Sequence, residues 1–199
     1  MRERLREGIL NVGQALREPE EFAQRWNRGE ASYRWWVWMA LALTAVLGTM
    51  TYGMTMGLLG ETSGVLGRGV LLTTAAGLAW LIPLPALYIL NSLGGSRLPI
   101  SSTVLAALVT VSWGGLAMIA MVPVNWFFTA AIPVPGMVLV VNLVIFTGVG
   151  VAMIDVFAPV MKALEPGRAA APTWWLLLVA VIGGELYWAF GVFDFAALV

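Results

Sequence analysis

The chain has 199 residues, of which 60% are hydrophobic and only 11% charged, at a mean hydropathy of +0.86; a soluble domain carries roughly 25% charged residues, so this is the composition of an integral membrane protein. It contains no Cys and no His, which excludes disulfides, thiolate catalysis, His-ligated haem, most zinc and copper sites and every triad that needs an imidazole. The formal net charge is zero, and nothing in it points to a nucleic-acid partner.

Thirteen of the twenty-two charged side chains lie in the first thirty-four residues. This segment, 1–34, is too polar to be a secretory n-region, and the apolar run after it is too long for a signal h-region. Leu5, Ile9, Val12 and Leu16 recur at helical spacing with Arg2, Arg6, Glu7 and Arg17 on other faces. That pattern predicts an amphipathic helix lying in the headgroup region, as an anchor or as a dock for a cytoplasmic partner. Pro19 stops it, and Glu18-Pro19-Glu20-Glu21 opens a second short helix with Pro in the first turn and acids at its positive end. Phe22 and Trp26 form the apolar face of this helix, and Gly29 ends it.

Five apolar stretches follow: 35–58, 69–91, 101–122, 137–158 and 173–193. At about 1.5 Å per helical residue, each is long enough for a hydrocarbon core about 30 Å thick. The expected fold is therefore an all-α polytopic bundle of five transmembrane helices. Ten of the eleven basic residues lie on one set of alternating connections: the N-terminal segment, Arg97, Lys162 and Arg168. Only Arg68 lies on the other. The positive-inside rule then puts the N-terminus in the cytoplasm and the C-terminus outside. Ten Arg against one Lys fits a GC-rich bacterial gene, and hence the bacterial cytoplasmic (inner) membrane.

Tyr33, Trp35, Trp36 and Trp38 open the first stretch and Trp174 and Trp175 the fifth, reading as one cytoplasmic aromatic belt. Trp80 and Trp113 fall near mid-depth and are expected to face the bundle, where an indole N–H finds an acceptor. Small residues mark expected close approaches of helices: Gly53 with Gly57, Gly148 with Ala152, Gly114-Gly115, and Gly183-Gly184. Pro83 and Pro85 predict a kink in the second stretch. Residues 91–99 form a polar cytoplasmic turn, and the uncharged segment from Pro123 to Gly136 is expected to lie along the outer interface.

Three elements resemble bacterial Yip1-like membrane proteins: Pro19-x-x-Phe22 at the start of a short amphipathic helix; Pro-Ala-Leu-Tyr-Ile-Leu-Asn at 85–91 with Gly-Ser-Arg-Leu at 95–98; and Pro123-x-x-Trp126-Phe127-Phe128. The resemblance covers most of the chain. It implies a five-helix bundle with a cytoplasmic N-terminus and supplies no catalytic residues. The acidic recruitment motifs through which eukaryotic members engage small GTPases are not evident, so that role is not carried over.

The intramembrane polar candidates are Glu185, Asp155, Asn91 and Asn142, with Arg97 at the cytoplasmic edge. Asp155 is expected in the last cytoplasmic turns of its span, paired with Arg97, because an intramembrane charge calls for a partner. Glu185 lies just beyond the middle of the last span, where the chain offers no cation. It is expected to be a neutral acid hydrogen-bonded to another helix, with Thr49, Thr51, Thr74, Trp80, Ser112, Trp113 and Thr147 as candidate partners. No nucleophile–base pair, metal cluster, phosphate loop or cofactor motif is present. The reading is a non-enzymatic scaffold or accessory subunit that meets membrane lipid and other membrane subunits; the alternative is a small channel or transporter using Glu185 as a proton or cation site.

Overall fold

A computed structural model describes residues 2–30, 35–59, 64–168, 170–193 and 195. Within them the elements are α1 (Arg2–Arg17), α2 (Pro19–Asn27), α3 (Trp35–Met56) with a 3-10 turn at Gly57–Leu59, α4 (Gly64–Leu81), α5 (Leu84–Leu93), α6 (Ile100–Ala131), α7 (Pro135–Leu164) and α8 (Trp174–Ala189). Tyr33 and the side chains of Arg2, Leu5 and Glu7, all used above, lie outside the described residues.

The molecule is all-α among the described residues, and four segments are long and apolar enough to cross a membrane: α3, α4 with α5, α6 and α7. The fifth apolar helix, α8, has 16 residues, about 24 Å at the usual rise. It is shorter than the expected 173–193 because the chain turns back at its end. Gly191 adopts a φ of 61°, its N–H donates to the Trp188 carbonyl, and the Val192 N–H donates to Tyr187. This pair of bonds is a Schellman stop, and the left-handed position suits Gly because it has no Cβ to clash. Gly29 and Gly95 end α2 and α5 in the same way.

Proline has two outcomes. Pro83 and Pro85 split the second stretch into α4 and α5, with turn residues at Ile82 and Pro83, because each lacks the N–H that would donate to the carbonyl one turn back. Pro123 breaks nothing. α6 passes through it and runs 32 residues to Ala131, so the expected interfacial segment from Pro123 to Gly136 is helix over most of its length and the loop shrinks to 132–134. Likewise α7 continues through Pro159 to Leu164, beyond the expected end at 158.

The α3–α6 crossing is the most extensive helix contact. A Cβ on Gly48 would stand 2.1 Å from the Gly115 carbonyl oxygen, and one on Gly115 would stand 2.8 Å from Ala45 Cα. Ser112 adds a hydroxyl bond of 2.8 Å to the Leu41 carbonyl across the same interface. Gly53 and Gly57 do admit α4, with Cβ positions 2.9 Å from Gly69 Cα and 2.7 Å from Val65 Cα. Gly148 and Gly184 have nothing within 4 Å of a Cβ and make no close approach. Gly183 meets the Ala79 Cβ at 3.3 Å, bringing α8 onto α4.

The end of the bundle expected to face the cytoplasm is closed by α2. Pro19 sits in its first turn, Glu20 and Glu21 follow, and Phe22 and Ala23 are fully buried against α7, to which α2 packs along its length. Trp26 Nε1 donates to Ser102 Oγ at 3.0 Å, and Asn27 Nδ2 donates to the Ala163 carbonyl at 3.1 Å. α1 rests on this cap through buried Ala15 and leaves Ile9 and Leu10 exposed. Ile9, on the apolar face expected to lie in the headgroup region, is thus not packed against the bundle. In the aromatic belt, Trp35 and Trp174 are exposed, whereas Trp175 is fully buried against Phe157 and belongs to the core.

Candidate functional site

Three constellations are built from polar, charged or open intramembrane groups, and they distribute the sequence candidates differently from expectation.

At the end of the bundle closed by α2, Glu165 is the centre. Its Oε2 accepts from Ser96 Oγ at 3.0 Å and from Arg168 Nη1 at 3.3 Å, and its Oε1 accepts the Arg97 backbone N–H at 3.1 Å. Arg168 also donates to Asn91 Oδ1. These contacts latch the turn after α5 to the loop after α7 around a polar hollow of ≈ 660 Å³ that Asn27 also lines. Asn91 and Arg97 thus belong to one network, but Asp155 does not. It is exposed on the outward face of α7 and makes no ion pair among the described residues. The expected Asp155–Arg97 pair fails because α7 continues past 158; Arg97 is level with Glu165, about 15 Å further along the helix than Asp155. Glu165 was missed because it lies in a loop, where an acid raises no question of membrane cost.

In the half of the bundle away from α2, five neutral polar side chains are buried together on α3, α6 and α7: Tyr52, Thr55, Asn125, Thr129 and Asn142. Tyr52 Oη donates to Asn142 Oδ1 at 2.7 Å, and Asn142 Nδ2 donates to the Val138 carbonyl at 2.8 Å. Asn125 Nδ2 donates to Thr55 Oγ1 at 2.7 Å, and Thr55 in turn donates to the Tyr52 carbonyl at 2.6 Å. Asn125 Oδ1 has no hydrogen-bond partner among the described residues. Phe146 joins this cluster to α8, its ring edge-on to Tyr52, Tyr187 and Phe193 at 5.1–5.8 Å, the geometry aromatic quadrupoles favour. Asn142 was selected from sequence, whereas Tyr52 and Asn125 were not. Arg68 donates to the Gly191 and Val192 carbonyls at 2.8 and 3.4 Å and so satisfies acceptors that the end of α8 leaves open.

The third constellation is the outer surface of α7 and α8. On α8 the buried residues are Trp175, Val179 and Gly183. Glu185 follows Gly183 by two residues, a rotation of about 200°, and is exposed. Gly183 packs on Ala79, which lies midway in sequence between Arg68 near the start of α4 and Asn91 in the Glu165 network. Glu185 is therefore near mid-depth, as the sequence implied. Yet it faces away from the bundle, with no hydrogen bond to another helix and no ion pair among the described residues. The neutral interhelical bond expected of it is absent because its helix presents the opposite face to α4. Between α7 and α8 lies an apolar groove of ≈ 880 Å³, and a smaller one of ≈ 230 Å³ lies between α3, α4 and α6. Trp80 lines both.

No group of three or more Asp or Glu able to hold a metal ion occurs among the described residues. Comparison with protein-family models, with curated proteins and with solved structures finds no match for the chain.

Proposed function

We propose that the protein is a non-enzymatic accessory or scaffold subunit of a larger assembly in the bacterial cytoplasmic membrane. In this reading α8 completes a fifth crossing, the N-terminus is cytoplasmic and the C-terminus outside. The observation that carries it is the outward exposure of Glu185 near mid-depth. A carboxyl at that depth costs at least about 2.5–3.5 kcal/mol on insertion scales unless it is met by a counter-charge or turned inward. This chain does neither, so the missing cation is assigned to a Lys or Arg on a transmembrane helix of the partner. Glycine at 184, open on the same stretch of α8, lets such a helix come close. The Yip1-like resemblance is compatible with this reading and contributes no further chemistry.

A channel or transporter working through Glu185 needs a polar route from that carboxyl to a surface. The grooves at its level are apolar-lined, and Phe22 and Ala23 of α2 seal the cytoplasmic mouth, which speaks against one. The test is gentle native extraction with a photo-crosslinking residue at exposed Val181, in wild type and in Glu185→Gln. The expected result is one crosslinked membrane protein with a basic residue in a span, lost in Glu185→Gln while the fold persists. Purification as a lone chain, with Glu185-dependent proton flux in proteoliposomes, overturns the subunit reading in favour of transport.

A further inference from the structure

Glu185 does not stand alone on its face of α8. Leu177, Val181, Gly184, Glu185 and Trp188 are all exposed, and they recur at the helical spacing that places them on one stripe, about 17 Å long. Such a stripe is the pattern with which one helix meets another. Trp188 is the most exposed of the ten tryptophans, at 70%. Its indole takes part in no ring contact and no hydrogen bond among the described residues. Glu185 precedes it by three residues, so the two are neighbours on the helix surface with Cβ atoms about 5–6 Å apart. A carboxyl and the face of an indole thus stand side by side near mid-depth, both unengaged by this chain.

A cation set between them meets an opposite charge and an electron-rich ring face at once. The two basic side chains differ in how they use such a place. An ammonium is a compact, strongly hydrated point charge that can discharge by losing its proton when it leaves water. A guanidinium keeps its charge, is more weakly hydrated, pairs with a carboxylate through two parallel N–H bonds and lies flat on an aromatic ring. Resting on the subunit reading above, we propose that the partner's cation is an arginine near the middle of a transmembrane helix, its guanidinium held between the Glu185 carboxylate and the Trp188 indole. Gly184 is then the point of closest approach of the two helices. A second copy of this chain does not supply that cation: towards this end of α8 its basic residue is Arg68, which is committed to the Gly191 and Val192 carbonyls.

The test uses the full chain in dioleoyl phosphatidylcholine vesicles, with a donor dye on one Cys added after Val199, a unique label because the sequence has no Cys. The probe is a synthetic leucine-alanine transmembrane helix that carries an acceptor dye and, at its centre, arginine, lysine or glutamine. Energy transfer should show the arginine helix binding at least about tenfold more tightly than the glutamine helix, with the lysine helix between them. Glu185→Gln should erase the advantage of arginine over glutamine. Trp188→Leu should bring arginine down to the level of lysine while both stay above glutamine; should that variant not fold, Trp188→Phe takes its place and must narrow the gap between arginine and lysine. Equal binding of the arginine and glutamine helices, or lysine binding as tightly as arginine, overturns the proposal. So does a gap between arginine and lysine that the Trp188 variant leaves unchanged, which returns Trp188 to the aromatic belt. Energy transfer between two labelled copies without the helix, lost in Glu185→Gln, overturns it by making a second copy the occupant. The subunit reading is judged separately: the absence of any crosslinked partner at Val181 sinks that reading, whereas a crosslinked partner whose spans carry lysine and no arginine leaves it standing and overturns only the arginine.

Discussion

Gly48→Ala puts the tightest contact in the bundle to a quantitative test. The added methyl would lie 2.1 Å from the Gly115 carbonyl oxygen and 2.4 Å from its carbon, over a full ångström inside ordinary contact. The obstacle is backbone, so no rotamer change relieves it and α3 and α6 must separate. Overpacking of this kind costs about 1–3 kcal/mol or more. Separation also stretches the Ser112 bond to the Leu41 carbonyl, now 2.8 Å, and interhelical bonds in membranes contribute about 0.6 kcal/mol on average. Against this, Ala is favoured over Gly within a helix by about 1 kcal/mol. The net expectation is a loss of about 1–3 kcal/mol, measured as reversible unfolding of the extracted protein in mixed micelles with increasing dodecyl sulfate, followed by far-UV dichroism. Gly184→Ala is the matched control: its Cβ meets nothing, so it should be neutral or stabilising by up to about 1 kcal/mol. If the two variants unfold together, the α3–α6 crossing is not the constraint its geometry implies.

Arg68→Gln removes the charged donors to the Gly191 and Val192 carbonyls; we expect about 1–2 kcal/mol lower stability and faster amide exchange at the end of α8, and unchanged exchange there would count against the cap. Tyr52→Phe leaves Asn142 Oδ1 buried without its donor and should cost about 1–3 kcal/mol, whereas Asn142→Leu with Tyr52→Phe should cost less than the two separately. Glu165→Gln and Arg168→Gln are in direct contact and should be non-additive by about 0.5 kcal/mol or more, while Asp155→Asn and Arg97→Gln should simply add, since no ion pair joins them. A reporter fused after Val199 should be active outside the cytoplasm and one placed between 91 and 100 should be cytoplasmic; the reverse at either site removes the fifth crossing.

What could be read from the sequence was what depends on chemistry local to the chain. Pro83 and Pro85 announced the α4–α5 break because a missing N–H acts within one turn, and Gly29 announced the end of α2. The depth of Glu185 followed from counting residues along its span. Its direction did not, because α8 is apolar all round and offers no polar stripe from which to choose the face that meets α4. Pro123 misled for a related reason: a proline ends a helix in water, but in a bundle the helix can continue, and only the buried partners of Asn125 and Thr129 reveal that it does. Gly115 was marked through Gly114-Gly115, but its partner Gly48 was not, because the sequence of one helix does not say which small residue of another it will meet. Glu165 was passed over because membrane cost singled out the acids inside spans, which proved to be the unpartnered ones.

The α2 cap has a consequence for how the chain is made. Its side chains close on α7, and the Asn27 amide reaches a carbonyl 136 residues later in the chain. At synthesis rates of about 5–20 residues per second, the ribosome needs roughly 7–27 s to supply that partner. For that interval Phe22 and Trp26 wait at the membrane surface while α3 to α6 are inserted. The last act of assembly at this end of the bundle is then the docking of the first segment made, so a truncation within α7 would leave the hydrophobic side chains of α2 uncovered. The cap thereby marks completion of the bundle.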